Sequence, residues 1–183
     1  MQENRIILET DRFNWVISRL CHQLIEDYGN FENTCLIGIQ PRGTLFSDRI
    51  VQALNQILPI QNFAYGKLDI TFYRDDFRMR DKPLKANVTE MDFLVDHKRV
   101  ILIDDVLYTG RTISAALAAL ANYGRPDSVR LLALVDRRFN RHLPIRCDYK
   151  GITVDSLDEA YVKVEWASEQ GQDRILIYPE KTD

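Results

Sequence analysis

Apolar positions along the chain recur at two different periods, and the alternation between them outlines a fold. Phe13, Ile17, Leu20, Leu24 and Tyr28 are spaced by fours and threes, with Val16, Cys21 and Ile25 widening the stripe. That spacing predicts an amphipathic helix to Tyr28, capped by Thr10 or Asp11. Thr34 to Ile39 is a short apolar run suited to a buried strand. Pro41 and Gly43 break the chain, and helical periodicity resumes from Leu45 to Leu58, ending at Pro59. Lys67 to Tyr73 alternates as a strand does. Arg74 to Met91 is charged and without period, which predicts a long mobile loop of the kind that is often functional. Arg99 to Ile103 is apolar and β-branched and stops at Asp104-Asp105. Thr112 to Tyr123 is an alanine-rich helix with Ile113, Leu117 and Leu120 on one face, closed by Gly124 and Pro126. Val129 to Val135 is another buried strand, and Tyr161–Trp166 and Arg174–Tyr178 add two more, at an edge or in a small flap. Continuously apolar strands alternating with helices imply an α/β fold, mainly a parallel sheet with helices on both faces. No repeat and no linker interrupts it, so residues 1–183 are expected to form a single domain.

Composition narrows the class without changing the picture. With 45% hydrophobic and 28% charged residues in 183, the chain is globular, and collagen-like or disordered classes fall away. Lys and Arg number 24 against 27 Asp and Glu, a net charge of −3, so nucleic acid would have to bind at a local patch. No apolar run approaches a membrane span, and charges at Glu3, Arg5, Glu9 and Asp11 break any signal-peptide core. Cys21, Cys35 and Cys147 are odd in number and lack metal-site spacing, which suits reduced core thiols. A cytoplasmic protein with no membrane partner is the expectation.

The chemistry concentrates at Asp104-Asp105-Val-Leu-Tyr-Thr-Gly-Arg-Thr112, at the carboxyl end of a strand, where such sheets bind ligands. Paired carboxylates are costly to desolvate and need a cation or hydroxyl donors. The turn through Thr109, Gly110 and Thr112 leads into a helix N-terminus, whose amides and dipole favour phosphate. Carboxylates for a diol beside amides for a phosphate describe a phosphorylated ribose site; the bland alternative is a capped helix with an acidic turn. Gly38 and Gly43-Thr44 have Walker-type glycine spacing but lack its lysine, and no Gly-x-Gly-x-x-Gly occurs, so triphosphatase and dehydrogenase readings fail.

Val100 to Thr112 resembles the phosphoribosyl-pyrophosphate (PRPP) motif of type I phosphoribosyltransferases. More narrowly, the chain is similar to the PyrR family of bifunctional pyrimidine-operon regulators and uracil phosphoribosyltransferases. The likeness extends to Asp69-Ile-Thr-Phe-Tyr-Arg-Asp-Asp76, to Gly38-Ile-Gln-Pro-Arg-Gly43, and to Val135-Asp-Arg137 with Leu143 to Tyr149, roughly residues 5 to 166 in all. It implies the phosphoribosyltransferase fold with a mobile loop about 74–91 and a hood about 137–166. It also implies transfer of phosphoribosyl from PRPP to uracil, giving uridine monophosphate (UMP) and pyrophosphate. By the same resemblance, purine enzymes carry an aspartate where this chain has Tyr108, which favours a pyrimidine. Another type I enzyme, acting on a purine or orotate, stays open as the alternative.

The resemblance also distributes roles. PRPP falls to Asp104, Asp105, Val106, Leu107, Tyr108, Thr109, Gly110, Arg111 and Thr112, with Asp104 and Asp105 catalytic. Pyrophosphate falls to Pro41, Arg42 and Gly43. The closing loop brings Arg74, Asp75, Asp76, Arg78 and Arg80, and the base lies among Val135, Asp136, Arg137, Tyr161 and Val162. Magnesium is expected to arrive with PRPP, near Asp104 and Asp105. A homodimer or larger homo-oligomer is implied, with Phe72 and Trp166 as exposed-looking aromatics. Binding of pyrimidine-operon messenger RNA would use Arg19, His22, Arg141 and Arg146. The stretch from Arg137 to Lys150 holds five basic side chains against Asp148. Three departures oppose RNA binding: Asp27 and Ile152 replace basic residues, and Arg138-Phe139-Asn140 replaces the family's Gly-His. An enzyme that has lost RNA regulation is therefore a further alternative.

Overall fold

A computed structural model describes residues 4–58, 63–76, 86–155 and 160–178. Its centre is a five-stranded, all-parallel sheet of β2 (Thr34–Ile39), β3 (Ala64–Leu68), β4 (Arg99–Leu107), β5 (Ser128–Arg137) and β6 (Tyr149–Val154), in the order β3-β2-β4-β5-β6. The α/β reading from the apolar strands is thereby realised. Every β2 residue is buried, as expected of a strand covered on both faces. Helices α1 (Thr10–Tyr28) and α2 (Gly43–Ile57) cover one face. Phe13, Leu20, Phe46 and Ile50 meet Leu36, Ile101 and Leu134 there. Helix α3 (Arg111–Leu120) covers the other, where Ile113 and Ala116 meet Ile37, Val100 and Leu102.

The second layer is a three-stranded antiparallel sheet, β1 (Arg5–Leu8), β8 (Arg174–Tyr178) and β7 (Tyr161–Glu165), with the short α4 (Ala167–Gln170) between β7 and β8. It joins the two ends of the described chain and stands over the α1–α2 side of the core.

Several boundaries differ from the periodicity. Lys67 to Tyr73 is not one strand: β3 ends at Leu68 and Thr71–Tyr73 is a 3-10 turn. The cause is its partner, because β2 ends at Ile39, opposite Leu68, and then turns into the cis Gln40-Pro41 peptide. Helix α1 is entered from Glu9, with no side-chain cap from either Thr10 or Asp11. Helix α3 ends at Leu120, and Ala121–Tyr123 tightens to 3-10. Trp166 is not an exposed aromatic: it is 4% exposed and packs edge-on against Phe13, centroids 5.3 Å apart. Phe72 is 68% exposed. Tyr149–Val154, within the expected hood, is an edge strand of the main sheet.

Candidate active site

The connections leave the sheet in opposite directions between β2 and β4, the switch point at which parallel sheets form a crevice. The carboxyl ends of β2, β3, β4 and β5 all deliver sequence-predicted residues to that edge. A cleft of about 590 Å³ opens there, walled by Tyr108 to Ile113 on one side and Arg74, Asp75 and Asp76 on the other, with Asp104 between them.

Asp104 and Asp105 are 5% and 7% exposed. The Asp104 side chain accepts from the Asp105 amide at 3.1 Å, and Asp105 from the Val106 amide at 2.8 Å. Burial pushes both carboxyls up, Asp104 well above the usual range, where the neighbouring Asp105 charge adds to the effect; Arg42 opposes the rise in both. A pair held in this state favours any ligand that brings hydroxyl donors or positive charge.

The next turn is built from small residues for a geometric reason. Gly110 has φ +91° and precedes α3, a conformation that L side chains rarely adopt. Its far side is closed by the connection after β5. The His142 and Leu143 amides donate to the Thr109 carbonyl at 3.0 and 3.2 Å, and Arg141 donates to the Tyr108 carbonyl. Leu143 and Ile145 pack over Gly110. Arg137 lies 3.9 Å over the Tyr108 ring and donates to the Ala160 carbonyl at 2.8 Å.

Gly43 opens α2 against the end of β4. A methyl there would lie 2.6 Å from the Ile103 carbonyl oxygen and 3.0 Å from the Asp104 Cα, so only glycine lets the two segments meet. Arg42 is thereby brought beside the carboxylate pair, with its Nη1 donating to the Tyr161 hydroxyl at 2.8 Å. Pro41, its neighbour, accepts from the Thr44 hydroxyl at 2.7 Å.

Across the cleft, Arg74 forks onto Asp76 at 2.8 and 2.9 Å, and Asp75 pairs with Arg111. At the far end of the expected loop, residues 88–90 are bonded to the core. Val88 accepts from Gln40 at 2.9 Å, the Thr89 hydroxyl accepts from the Asp69 amide, and Glu90 bridges to Lys67. Arg78 and Arg80 lie outside the described residues.

The residues expected at the base and at RNA differ in burial and bonding. Val135 and Val162 are 0% and 3% exposed and face the core, so their side chains do not wall an open pocket. Asp136 is occupied by Arg141 at 2.5 Å, which places Arg141 beside the Tyr108–Gly110 turn and not on an outer basic face. Arg19 donates to the Gly151 and Lys150 carbonyls at 2.6 and 3.2 Å, tying α1 to β6, while His22 and Arg146 are exposed. Asp27 accepts from Arg130 at 3.4 Å and from the Tyr149 hydroxyl. Sequence reasoning missed Tyr161 as a partner of Arg42 and Arg141 as a brace of the turn. Both depend on contacts between segments about 119 and 33 residues apart, which no local spacing encodes.

The phosphoribosyl transferase domain family matches residues 4–169. The chain is 39% identical over 180 residues to the Bifunctional protein PyrR of Bacillus mycoides, covering 97% of this chain and 99% of the relative, and matches those of Bacillus cereus and Bacillus anthracis equally. Among solved structures it is similar to a hypoxanthine phosphoribosyltransferase of Staphylococcus aureus, with TM-score 0.66, 17% identity, and 85% and 79% of the two chains covered. A hypoxanthine-guanine enzyme of Bacillus anthracis gives 0.64 at 15% identity, covering 83% and 85%. Those two likenesses establish the fold.

Proposed function

Since this chain belongs to the phosphoribosyl transferase family, we propose that it transfers the phosphoribosyl group of PRPP to uracil, releasing pyrophosphate and forming UMP, and that it also acts as a UMP-responsive RNA-binding regulator of pyrimidine genes. The observation that carries the enzymatic reading is the buried Asp104–Asp105 pair running directly into the Gly110 turn and the α3 N-terminus.

The division of labour follows from that arrangement. Amides of the turn and the positive end of α3 bind the 5′-phosphate. Asp104 and Asp105 accept the ribose hydroxyls, and their charge favours the cationic ring that develops as the bond from C1 to pyrophosphate breaks. Arg42 and the Gly43 amide hold the departing pyrophosphate. A uracil nitrogen forms the new bond to C1 and its proton passes to water. Tyr108 supports a pyrimidine, since it supplies no carboxylate for a purine nitrogen. Arg74, Asp75 and Asp76 begin the segment that covers the site and excludes water.

Magnesium would be carried in by PRPP, with pyrophosphate and water as most of its ligands. Among the described residues no three acidic, histidine or cysteine side chains cluster as a metal site. Asp75 and Asp76 are paired with Arg111 and Arg74, and the buried Asp104–Asp105 pair is what would favour the cation's approach. Bound there, it would neutralise pyrophosphate charge. Among the described residues no helix is long and apolar enough to cross a membrane. A homo-oligomer in the cytoplasm is the setting we propose.

A panel of bases with PRPP and magnesium, scored by pyrophosphate release, tests the reading. Uracil should turn over, and hypoxanthine, guanine and orotate should not. A purine outrunning uracil would overturn it.

A further inference from the structure

Arginines at this site differ in what they are bonded to. Arg74 bonds to Asp76, Arg111 to Asp75 and Arg141 to Asp136, so each has a carboxylate partner. Arg42, by contrast, donates to the Tyr161 hydroxyl at 2.8 Å. Arg42 is exposed, and its charge is attracted by Asp104 and Asp105, which lie at the end of the adjacent strand. An arginine left free beside two buried carboxylates would turn onto them. It would then cancel the charge that the developing ribose cation needs and vacate the place where pyrophosphate leaves.

We propose that Tyr161 is a positioning residue for the leaving group: its hydroxyl holds the Arg42 guanidinium extended from the pyrophosphate loop without neutralising it. A phenol oxygen satisfies one N–H and carries no charge, so Arg42 keeps its full charge and four further N–H donors for pyrophosphate. Tyr161 lies on β7, in the antiparallel sheet, whereas Arg42 follows β2 of the main sheet. The bond therefore ties the hood to the leaving-group loop, and departure of the hood strand would release Arg42. Tyr161 is thus assigned to pyrophosphate and not to the wall of the base pocket. The inference rests on the role given to Arg42 above.

Tyr161→Phe keeps the ring and deletes only the hydroxyl. Titration calorimetry of PRPP with magnesium, in the absence of any base, should show affinity weakened about fivefold to tenfold, the scale of one ordinary, exposed hydrogen bond. Pyrophosphate inhibition should weaken in parallel while the KM for uracil stays unchanged. In an Arg42→Gln background the same substitution should have no further effect, because the bond it removes is already gone. Additive effects of the two substitutions, a change confined to the uracil KM, or unaltered PRPP affinity would each overturn the proposal. Loss of fold in Tyr161→Phe would be seen as a lowered Tm that persists in the double variant. In that case Arg42→Lys, which keeps the charge but not the fork, replaces it and should weaken PRPP binding to a similar degree; unchanged binding would overturn the proposal. Because PRPP binding is read without base, failure here is distinct from failure of the uracil assignment.

Discussion

A single methyl group at Gly43 should disconnect the Pro41–Gly43 segment from the carboxylate pair. The Cβ of Gly43→Ala would lie 2.6 Å from the Ile103 carbonyl oxygen and 3.0 Å from the Asp104 Cα, where ordinary contact begins at 3.4 Å. Both obstacles are backbone of a central strand hydrogen-bonded on each side, so α2 and Arg42 must yield, by about 0.8 Å. Alanine's better helix propensity favours the variant by at most about 1 kcal/mol, while overpacking of this kind costs about 1–3 kcal/mol. The net effect on stability is therefore small and the displacement is what matters. A shift approaching 1 Å between groups that must act together costs on the order of 10²-fold in rate. The assay is kcat/KM for pyrophosphate release from PRPP, alongside the melting curve. Gly171→Ala is the control: its φ of +79° is strained for alanine, which costs about 1 kcal/mol, but it has open space around it and lies away from the cleft. Wild-type kcat/KM in Gly43→Ala, or a loss matched by Gly171→Ala, would refute the coupling of the α2 start to the β4 end.

The carboxylate pair makes a signed stability prediction. Its pKa values are raised by burial, so the folded state holds protons that the unfolded state has lost, and stability falls as pH rises from the unfolded carboxylate range through the folded values. Asp104→Asn should therefore melt higher than wild type near pH 7, with the gain shrinking toward about pH 4, and it and Asp105→Asn should each lose roughly 10²-fold or more in activity; equal melting at both pH values would contradict the first expectation and retained activity the second. For RNA, Asp27 occupies Arg130 and Tyr149 on the α1–β6 side. Asp27→Asn should steepen the log–log salt dependence of filter binding to a pyrimidine-operon leader by about one unit, in the presence of UMP. Absence of UMP-enhanced binding in either form would mean the regulatory surface is gone.

How far the sequence carries depends on where the deciding contacts lie. The β4 strand, its acidic end and the Gly110 turn were legible because local chemistry specifies them: apolar run, paired acids, small residues, helix. The α1 stripe was legible for the same reason, since Phe13, Ile17, Leu20 and Leu24 bury one face at helical spacing. What could not be read was set by partners distant in the chain. Leu68, Ile70 and Phe72 alternate like a strand, yet the pairing stops at Leu68 because β2 turns away at Gln40. Strand β1 has four residues and exists by virtue of Ile175 to Ile177. Strand β6 carries Gly151 at its centre, where a methyl would meet the Leu134 carbonyl at 2.4 Å, so its weak pattern reflects close packing and not a loop. Arg141 looked like a surface cation in a basic stretch, but Asp136 five residues earlier draws it inward.

The sheet formed by β1, β8 and β7 bears on the order in which the protein is made. Arg5 pairs with Ile177, so β1 leaves the ribosome long before β8, the strand that covers it. The five parallel strands, with both aspartates and the Gly110 turn, are complete once Val154 has emerged. Tyr161 comes only afterwards, on β7, ahead of β8, the strand that pairs with both β7 and β1. During synthesis the nascent chain therefore passes through a stage with the Gly110 turn formed and the partner of Arg42 not yet made. Arg42 gains its Tyr161 partner only as the sheet that joins the two ends of the described chain assembles.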